Sequence, residues 1–213
     1  MFVSSLVVGP FQENSYLVVD EASRDAILVD PGDEGDRLIA NVESHGATLT
    51  AIWLTHAHLD HIGGIAAIHR KWPVPIYLHM LDAPLYVAGT RQAAYYGVPF
   101  EQPPAADREL ADGDTMTFGD LSFNVMHLPG HAPGHVVFHG HGAVFGGDVL
   151  FAGSIGRTDL PGANAAQLEA SLARLAELPP ETIVYSGHGP ATSIGQELRS
   201  NPFMNGVARI ARR

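Results

Sequence analysis

The chain of 213 residues is 46% hydrophobic, enough to bury a substantial core, and nothing in it resembles a linker, so a single domain over residues 1–213 is expected. Its 12 Lys and Arg against 23 Asp and Glu give a formal charge of -11, which disfavours a nucleic-acid partner whose phosphates need neutralising. There is no cysteine, which excludes disulfides, thiolate nucleophiles and Cys-ligated zinc and leaves imidazole and oxygen as metal donors.

The opening residues, Met1 to Pro10, carry no basic leader, and their apolar run is too short to span a bilayer. They read as the first strand of a soluble, cytoplasmic protein with no membrane partner. β-rich runs over residues 2–8, 15–19 and 26–30, broken by Gly9-Pro10 and a polar stretch, predict an antiparallel start. A helix over residues 34–45 follows, with Leu38, Ile39 and Val42 on one face and Gly46 beyond its end. After a strand over residues 50–54 and a polar loop, a second helix is predicted over residues 62–72, stopped by Pro73. Residues 76–79 read as a short strand and residues 81–96 as a helix weakened in the middle by Gly89.

From residue 109 to 145 the pattern is strands and tight turns at Asp112-Gly113 and Phe118-Gly119-Asp120. Asn164 is an N-cap candidate for a helix whose Leu168, Leu172 and Leu175 share a face until Pro179-Pro180. A last strand over residues 182–185 runs into Gly187-His188-Gly189. Strands then helices, twice over, predict an α/β fold in which two halves pack sheet to sheet with helices outside, a four-layer αββα sandwich.

Twelve histidines are many for a chain of this length, and four ligand-type side chains crowd into His56-Ala57-His58-Leu59-Asp60-His61. At this chain's own His and Asp frequencies such a run arises by chance in about two chains per thousand. From an extended loop, residues 56 and 58 point the same way, while Asp60 and His61 at the turn into the next helix face a neighbouring position. One loop therefore serves two ions. His131, Asp148 and His188 each follow a strand-like run and a glycine, where a loop brings one side chain to a common rim.

Assembled, His56, His58 and His131 fall to one ion, Asp60, His61 and His188 to the other, and Asp148 bridges. Two divalent ions, zinc by the donor type, then outweigh the catalytic carboxylates Asp60 and Asp148 and a shared hydroxide. The small positive surplus suits hydrolysis through an anionic intermediate.

At these residues the sequence resembles the metallo-β-lactamase superfamily, and within it the short bacterial form of the glyoxalase II (hydroxyacylglutathione hydrolase) branch. Gly9-Pro10-Phe11 with Asn14, His131-Ala132-Pro133-Gly134-His135 and Gly147-Asp148-Val149-Leu150-Phe151 running into Gly156-Arg157-Thr158-Asp159 carry the likeness, which spans nearly the whole chain. It implies the αββα fold, a dinuclear zinc or zinc/iron site, and hydrolysis of a glutathione thioester of the S-lactoylglutathione type to a hydroxy acid. Eukaryotic-type members add a C-terminal helical domain and a Lys/Tyr cluster that grip glutathione. Here the sequence stops at Arg213, Arg157 stands where that branch has lysine, and neither Thr158 nor Asp159 matches the tyrosine.

Arg157 has two readings, a planar fork for a substrate carboxylate or an ion pair with Asp159 that shapes the loop. Persulfide dioxygenases resemble the sequence too. In that design residues matching His56, His131 and Asp148 hold a single iron, and a lactonase is a third possibility for the same hydroxide. His45 and His69 read as helix-end residues, His139 and His141 as flanks of a hairpin glycine, and His135 as a half-buried strand residue in preference to a support behind the ligands. Tyr86, Tyr95 and Tyr96 are expected to pack a helix, with lining an entrance as the alternative. The partner is then a small thioester or thiol derived from glutathione.

Overall fold

A computed structural model describes residues 1–210. The first sheet takes its strands in chain order: β1 (Phe2–Val8), β2 (Glu13–Val19), β3 (Asp25–Val29), β4 (Thr48–Trp53), β5 (Ile76–His79) and β6 (Arg108–Leu110). The first three are antiparallel neighbours, and β3 to β6 run parallel. The second sheet has the order β14 (Thr192–Ser193), β13 (Ile183–Ser186), β10 (Ala143–Gly147), β9 (Val136–Gly140), β8 (Leu121–His127), β7 (Thr115–Phe118). A separate ribbon pairs β11 (Leu150–Phe151) with β12 (Ser154–Ile155).

Helices α1 (Gly35–Ser44), α2 (Leu59–Ile62), α3 (Ile65–Lys71), α4 (Ala83–Val87) and α5 (Gly89–Tyr96) belong to the first half of the chain; α6 (Ala165–Leu175) and α7 (Ile194–Ser200) belong to the second.

Strands β2 and β3 are buried on both faces, and their alternation sorts residues into two cores. Tyr16, Val18, Ile27 and Val29 point between the sheets, where Trp53, Phe123, Phe138 and Phe145 form an aromatic centre. Leu17, Val19, Ala26 and Leu28 point outward under Leu38 and Val42 of α1 and Ile65 and Ile68 of α3. A third cluster lies beyond the second sheet, where Val137, Val144 and Val184 meet Leu168, Leu172 and Leu175 of α6. These three cores are the interfaces of a four-layer αββα sandwich, as the sequence pattern implies. In β4 a bulge at Thr50 opposite Ala26 and Ile27 lets Leu49 and Ile52, three apart, face the same helix layer.

Strand direction places the functional edge. Because β9 is antiparallel to both β8 and β10, those two run the same way, and β13 is parallel to β10. The C-terminal ends of β8, β10 and β13 therefore share one edge of their sheet, as do those of β3, β4 and β5 in the other. Ligand sites on parallel sheets form at such edges.

Several predicted boundaries shift. The segment 81–96 is broken: a 3-10 turn over Met80–Asp82 precedes α4, with Pro84 in its first turn, and the chain restarts at α5. Gly89 sits where a Cβ would lie 2.5 Å from Phe100 Cζ, so the residue that weakens the helix is also the one that lets Phe100 approach. The predicted helix over residues 62–72 begins instead as α2, so Asp60 and His61 lie within a helical turn rather than a loop. The strands β11, β12 and β14 and the helix α7 have patterns too short for the sequence reading to register.

Asn164 caps α6, its Oδ1 accepting from the N–H groups of Ala166 and Gln167 at 3.0 Å each. The Asn164→Ala variant is expected to lose about 1 kcal/mol in urea denaturation, and Asn164→Ser to recover most of it.

Candidate metal centre

Every ligand predicted from sequence arrives at the shared edge. His56 and His58 follow β4, His131 follows β8, Asp148 follows β10 and His188 follows β13. His56, His58 and His131 bring ligand atoms within 4.8 Å of one another, and Asp60, His61 and His188 do the same. Asp148 stands between the trios. Its Oδ2 is 3.4 Å from His131 Nε2 and 3.6 Å from His188 Nε2, and its Oδ1 is 3.5 Å from His61 Nε2.

The ring nitrogens turned away from the centre are anchored. His131 Nδ1 lies 2.9 Å from the Arg157 carbonyl and His188 Nδ1 3.3 Å from that of Gln12, so both carry their proton there and present Nε2 inward. His61 Nδ1 is 3.0 Å from Asp30 Oδ2. The Thr55 hydroxyl gives its one proton to the same Asp30 oxygen at 2.6 Å, which makes it the acceptor for His56 Nδ1 at 3.0 Å. Asp30 Oδ1 takes the Thr55 N–H at 2.7 Å. One carboxylate thus orients His61 directly and His56 through Thr55. His58 is the exception, presenting Nδ1, 2.9 Å from His131 Nε2.

The inward atoms fit a cation. His56 Nε2, His61 Nε2 and Asp148 Oδ1 are buried without a hydrogen-bond partner, an arrangement that costs several kcal/mol unless something charged compensates. Burial drives His56 and His131 down and His58 down to about 3, which keeps their lone pairs available. Burial acts the same way on His61, but Asp148 and Asp30 overcome it and hold that imidazole well above its usual range. For Asp148, burial is outweighed by His61, His131 and His188, so the carboxyl stays ionised.

Glycines bring the strand ends this close. A Cβ on Gly187 would collide with Asp148 Oδ1 and lie 2.8 Å from His61 Cε1. Gly147, at φ 47°, would meet His135 Nε2 at 2.9 Å and collide with the Thr55 hydroxyl.

Four supporting residues were missed in the sequence. Asp30, before Pro31-Gly32, reads as the last residue of a strand. His135 is fully buried rather than half-buried, and its Nε2 accepts the Asp148 N–H at 3.0 Å. Asp82, read as part of a helix, accepts from the N–H groups of Ala57 at 3.1 Å and Gly134 at 2.5 Å, tying the loop of His56 and His58 to that of His131. Glu13 lies under His61 with both carboxylate oxygens buried and unpartnered, and burial raises its carboxyl well above the usual range.

The centre opens into a cavity of about 380 Å³ walled by Phe11, Leu59, Gln92 and Tyr96 on the α5 side and by Phe151, Ile155, Arg157 and Leu160 on the β11–β12 side. Arg157 is in a two-point ion pair with Asp159, Nε to Oδ1 2.6 Å and Nη2 to Oδ2 2.8 Å. Of the tyrosines expected to pack a helix, only Tyr86 is buried; Tyr95 is 83% exposed and Tyr96 lines the cavity.

A model of the metallo-beta-lactamase superfamily matches residues 8–188. The chain belongs to the metallo-beta-lactamase superfamily. Within this superfamily of metallo-hydrolases it is 38% identical to the hydroxyacylglutathione hydrolase GloC of Haemophilus influenzae, over 96% of this chain and 99% of that one. Its fold is similar to that of TTHA1623 in a di-iron-bound form, with 48% identity, a TM-score of 0.88 and coverage of 94% and 100% of the two chains. It is also similar to ETHE1 from Myxococcus xanthus, with 33% identity, a TM-score of 0.83 and coverage of 97% and 85%. Among the described residues no helix is long and apolar enough to cross a membrane.

Two outcomes are expected of the supporting carboxylates. Asp30→Asn, which disturbs the anchors of His56 and His61 together, should weaken metal binding at both positions by about 10- to 100-fold in competition titrations with a chelator. Burial pushes the Asp82 carboxyl up to about 6, so between pH 4 and 6 the native state keeps a proton that the unfolded chain has lost. Asp82 thus contributes a stability that falls as pH rises through that window. In metal-free protein, wild-type stability relative to Asp82→Asn should drop by about 2 kcal/mol from pH 4 to pH 6.

Proposed function

We propose that this chain is a metal-dependent hydrolase that holds two divalent ions, zinc or iron, and cleaves a glutathione thioester of the S-lactoylglutathione type. The observation that carries the reading is the second trio. In a site for a single ion on His56, His131 and Asp148, the buried His61 Nε2, 3.5 Å from Asp148 Oδ1, would keep no hydrogen-bond partner, and Asp60, His61 and His188 would converge on nothing, a cost that a second ion removes. When bound, the ions would supply a hydroxide near neutral pH and a Lewis acid for the carbonyl oxygen.

The chain's own residues do the rest. His56, His58 and His131 hold one position, Asp60, His61 and His188 the other, and Asp148 faces both. Asp60 and Asp148 are the catalytic carboxylates, since both line the cavity where the acyl group would sit. Asp60 Oδ2, 3.2 Å from His188 Nε2, lies at the open side, placed to relay a proton outward. A thiolate with a pKa of about 8.5 leaves with little help from a general acid, which suits a cavity lined, among the described residues, by no lysine. With two guanidinium nitrogens held by Asp159, the third nitrogen of Arg157 is the donor for a substrate carboxylate. Likeness to GloC supports the thioester. We read the protein as a single cytoplasmic domain acting on a small molecule.

Likeness to ETHE1 supports one second reading, a mononuclear-iron persulfide dioxygenase. Metal analysis of protein purified without chelator, together with S-lactoylglutathione hydrolysis and glutathione persulfide-dependent oxygen uptake, separates the two. Two metals per chain with thioester cleavage are expected; one iron with oxygen consumption and no cleavage would sink the hydrolase reading. Asp148→Ala should lose both metals and at least about 100-fold in turnover. Retention of two metals by that variant would refute the bridge.

A further inference from the structure

The cavity has an unusual wall on its α5 side. Phe11, at the tip of the turn between β1 and β2, and Tyr96, at the last residue of α5, meet edge to face with centroids 5.3 Å apart at 79°. They come from segments far apart in sequence, and they line the same cavity as His58, Asp60 and His188. Both rings are only partly covered, at 36% and 46% exposure, so neither is spent on the core and both keep surface free beside the cavity they line. Leu59 extends this surface toward the centre.

Polar groups on this wall are already engaged. Gln92 accepts the Leu59 N–H at 3.2 Å through Oε1 and donates from Nε2 to the Leu85 carbonyl at 2.9 Å. Beside the Tyr96 hydroxyl, this side of the cavity therefore offers carbon. Among the described residues lining the cavity, Arg157 is the only Lys or Arg, and it stands on the β11–β12 side. Concave apolar surface beside a few fixed polar groups is the usual form of a site that recognises a substrate's apolar part. The β11–β12 side is apolar too, at Phe151, Ile155 and Leu160, but it carries Arg157, the one cation here for the carboxylates of a glutathione moiety, which leaves the α5 side for the acyl group.

We propose that Phe11 and Tyr96 form an acyl-chain subsite, so that the enzyme prefers thioesters whose acyl group is an alkyl or aryl chain over the short polar lactoyl group. This rests on the thioesterase reading for its chemistry but on the wall alone for its binding. Each methylene removed from water against such a surface tightens binding about three- to fourfold when fully covered.

The test measures binding apart from turnover. S-methylglutathione and S-hexylglutathione, thioethers that are not cleaved, are titrated into the metal-loaded protein by calorimetry. The hexyl compound is expected to bind at least about tenfold more tightly. Phe11→Ala and Tyr96→Ala should shrink that ratio to below about threefold, while Tyr96→Phe, which keeps the ring, should preserve it. Equal affinities in the wild type, no detectable hexyl binding, or an unchanged ratio in the Phe11→Ala/Tyr96→Ala double variant would each overturn the subsite. Hydrolysis of S-lactoylglutathione without chain-length dependence rejects the subsite alone; chain-length dependence without any thioester turnover rejects the hydrolase reading alone.

Discussion

The Asp30 carboxylate, at the C-terminal end of β3, accepts the Thr55 N–H, the Thr55 hydroxyl and the His61 imidazole at once. Much of the centre follows from this. The first bond fixes where the chain leaves β4 and so where His56 and His58 begin. The second decides which way the Thr55 hydroxyl proton points and, through it, which tautomer His56 adopts. The third does the same for His61. A buried carboxylate is costly unless its lone pairs are filled, and here filling them is the same act as orienting one imidazole of each trio.

The fold makes such economy possible because it delivers complementary groups to one edge. Parallel strands β3, β4 and β5 end in Asp30, the ligand run and the Asp82 strut, while β8, β10 and β13 end in His131, Asp148 and His188. Cross-links between the halves then set their separation. Asn14 of β2 donates to the carbonyls of Ser186 and Gly189, Tyr16 donates to Ser186, and the Asn14 N–H binds the Gly187 carbonyl. With Gly187 pressed against Asp148 and His61, a shift of this contact is felt directly by both trios.

The sequence made the candidate ligands legible through the dense run after a strand; His131, Asp148 and His188, each a single residue after a glycine and taken alone no more than a turn signal, became legible only in company with that run. The sandwich followed from the order of strand-like and helix-like periods. What it concealed were residues whose local signal belongs to something else. Asp30 before Pro-Gly looks like the end of a strand, Asp82 like part of a helix, and His135 is one histidine among twelve. Their roles depend on partners 13 to 52 residues away, and no local period encodes such pairings. Tyr96 was misjudged for the converse reason: helical spacing is real there, but the helix ends at a cavity rather than against the core.

The two trios also differ in when the ribosome completes them. With the ligands divided as proposed, the three histidines of the first position have all been made once His131 has emerged, on loops tied together by Asp82, itself already made, while Asp148 and the Arg157 carbonyl that anchors His131 follow. The second position waits for His188, which lies beyond both β10 and β13. A growing chain, extended at about 5–20 residues per second, would thus spend several seconds with the histidines of one trio made and Asp60 and His61 lacking their third member. The order in which the two positions gain their last protein donor is thus set by where one histidine falls in the chain.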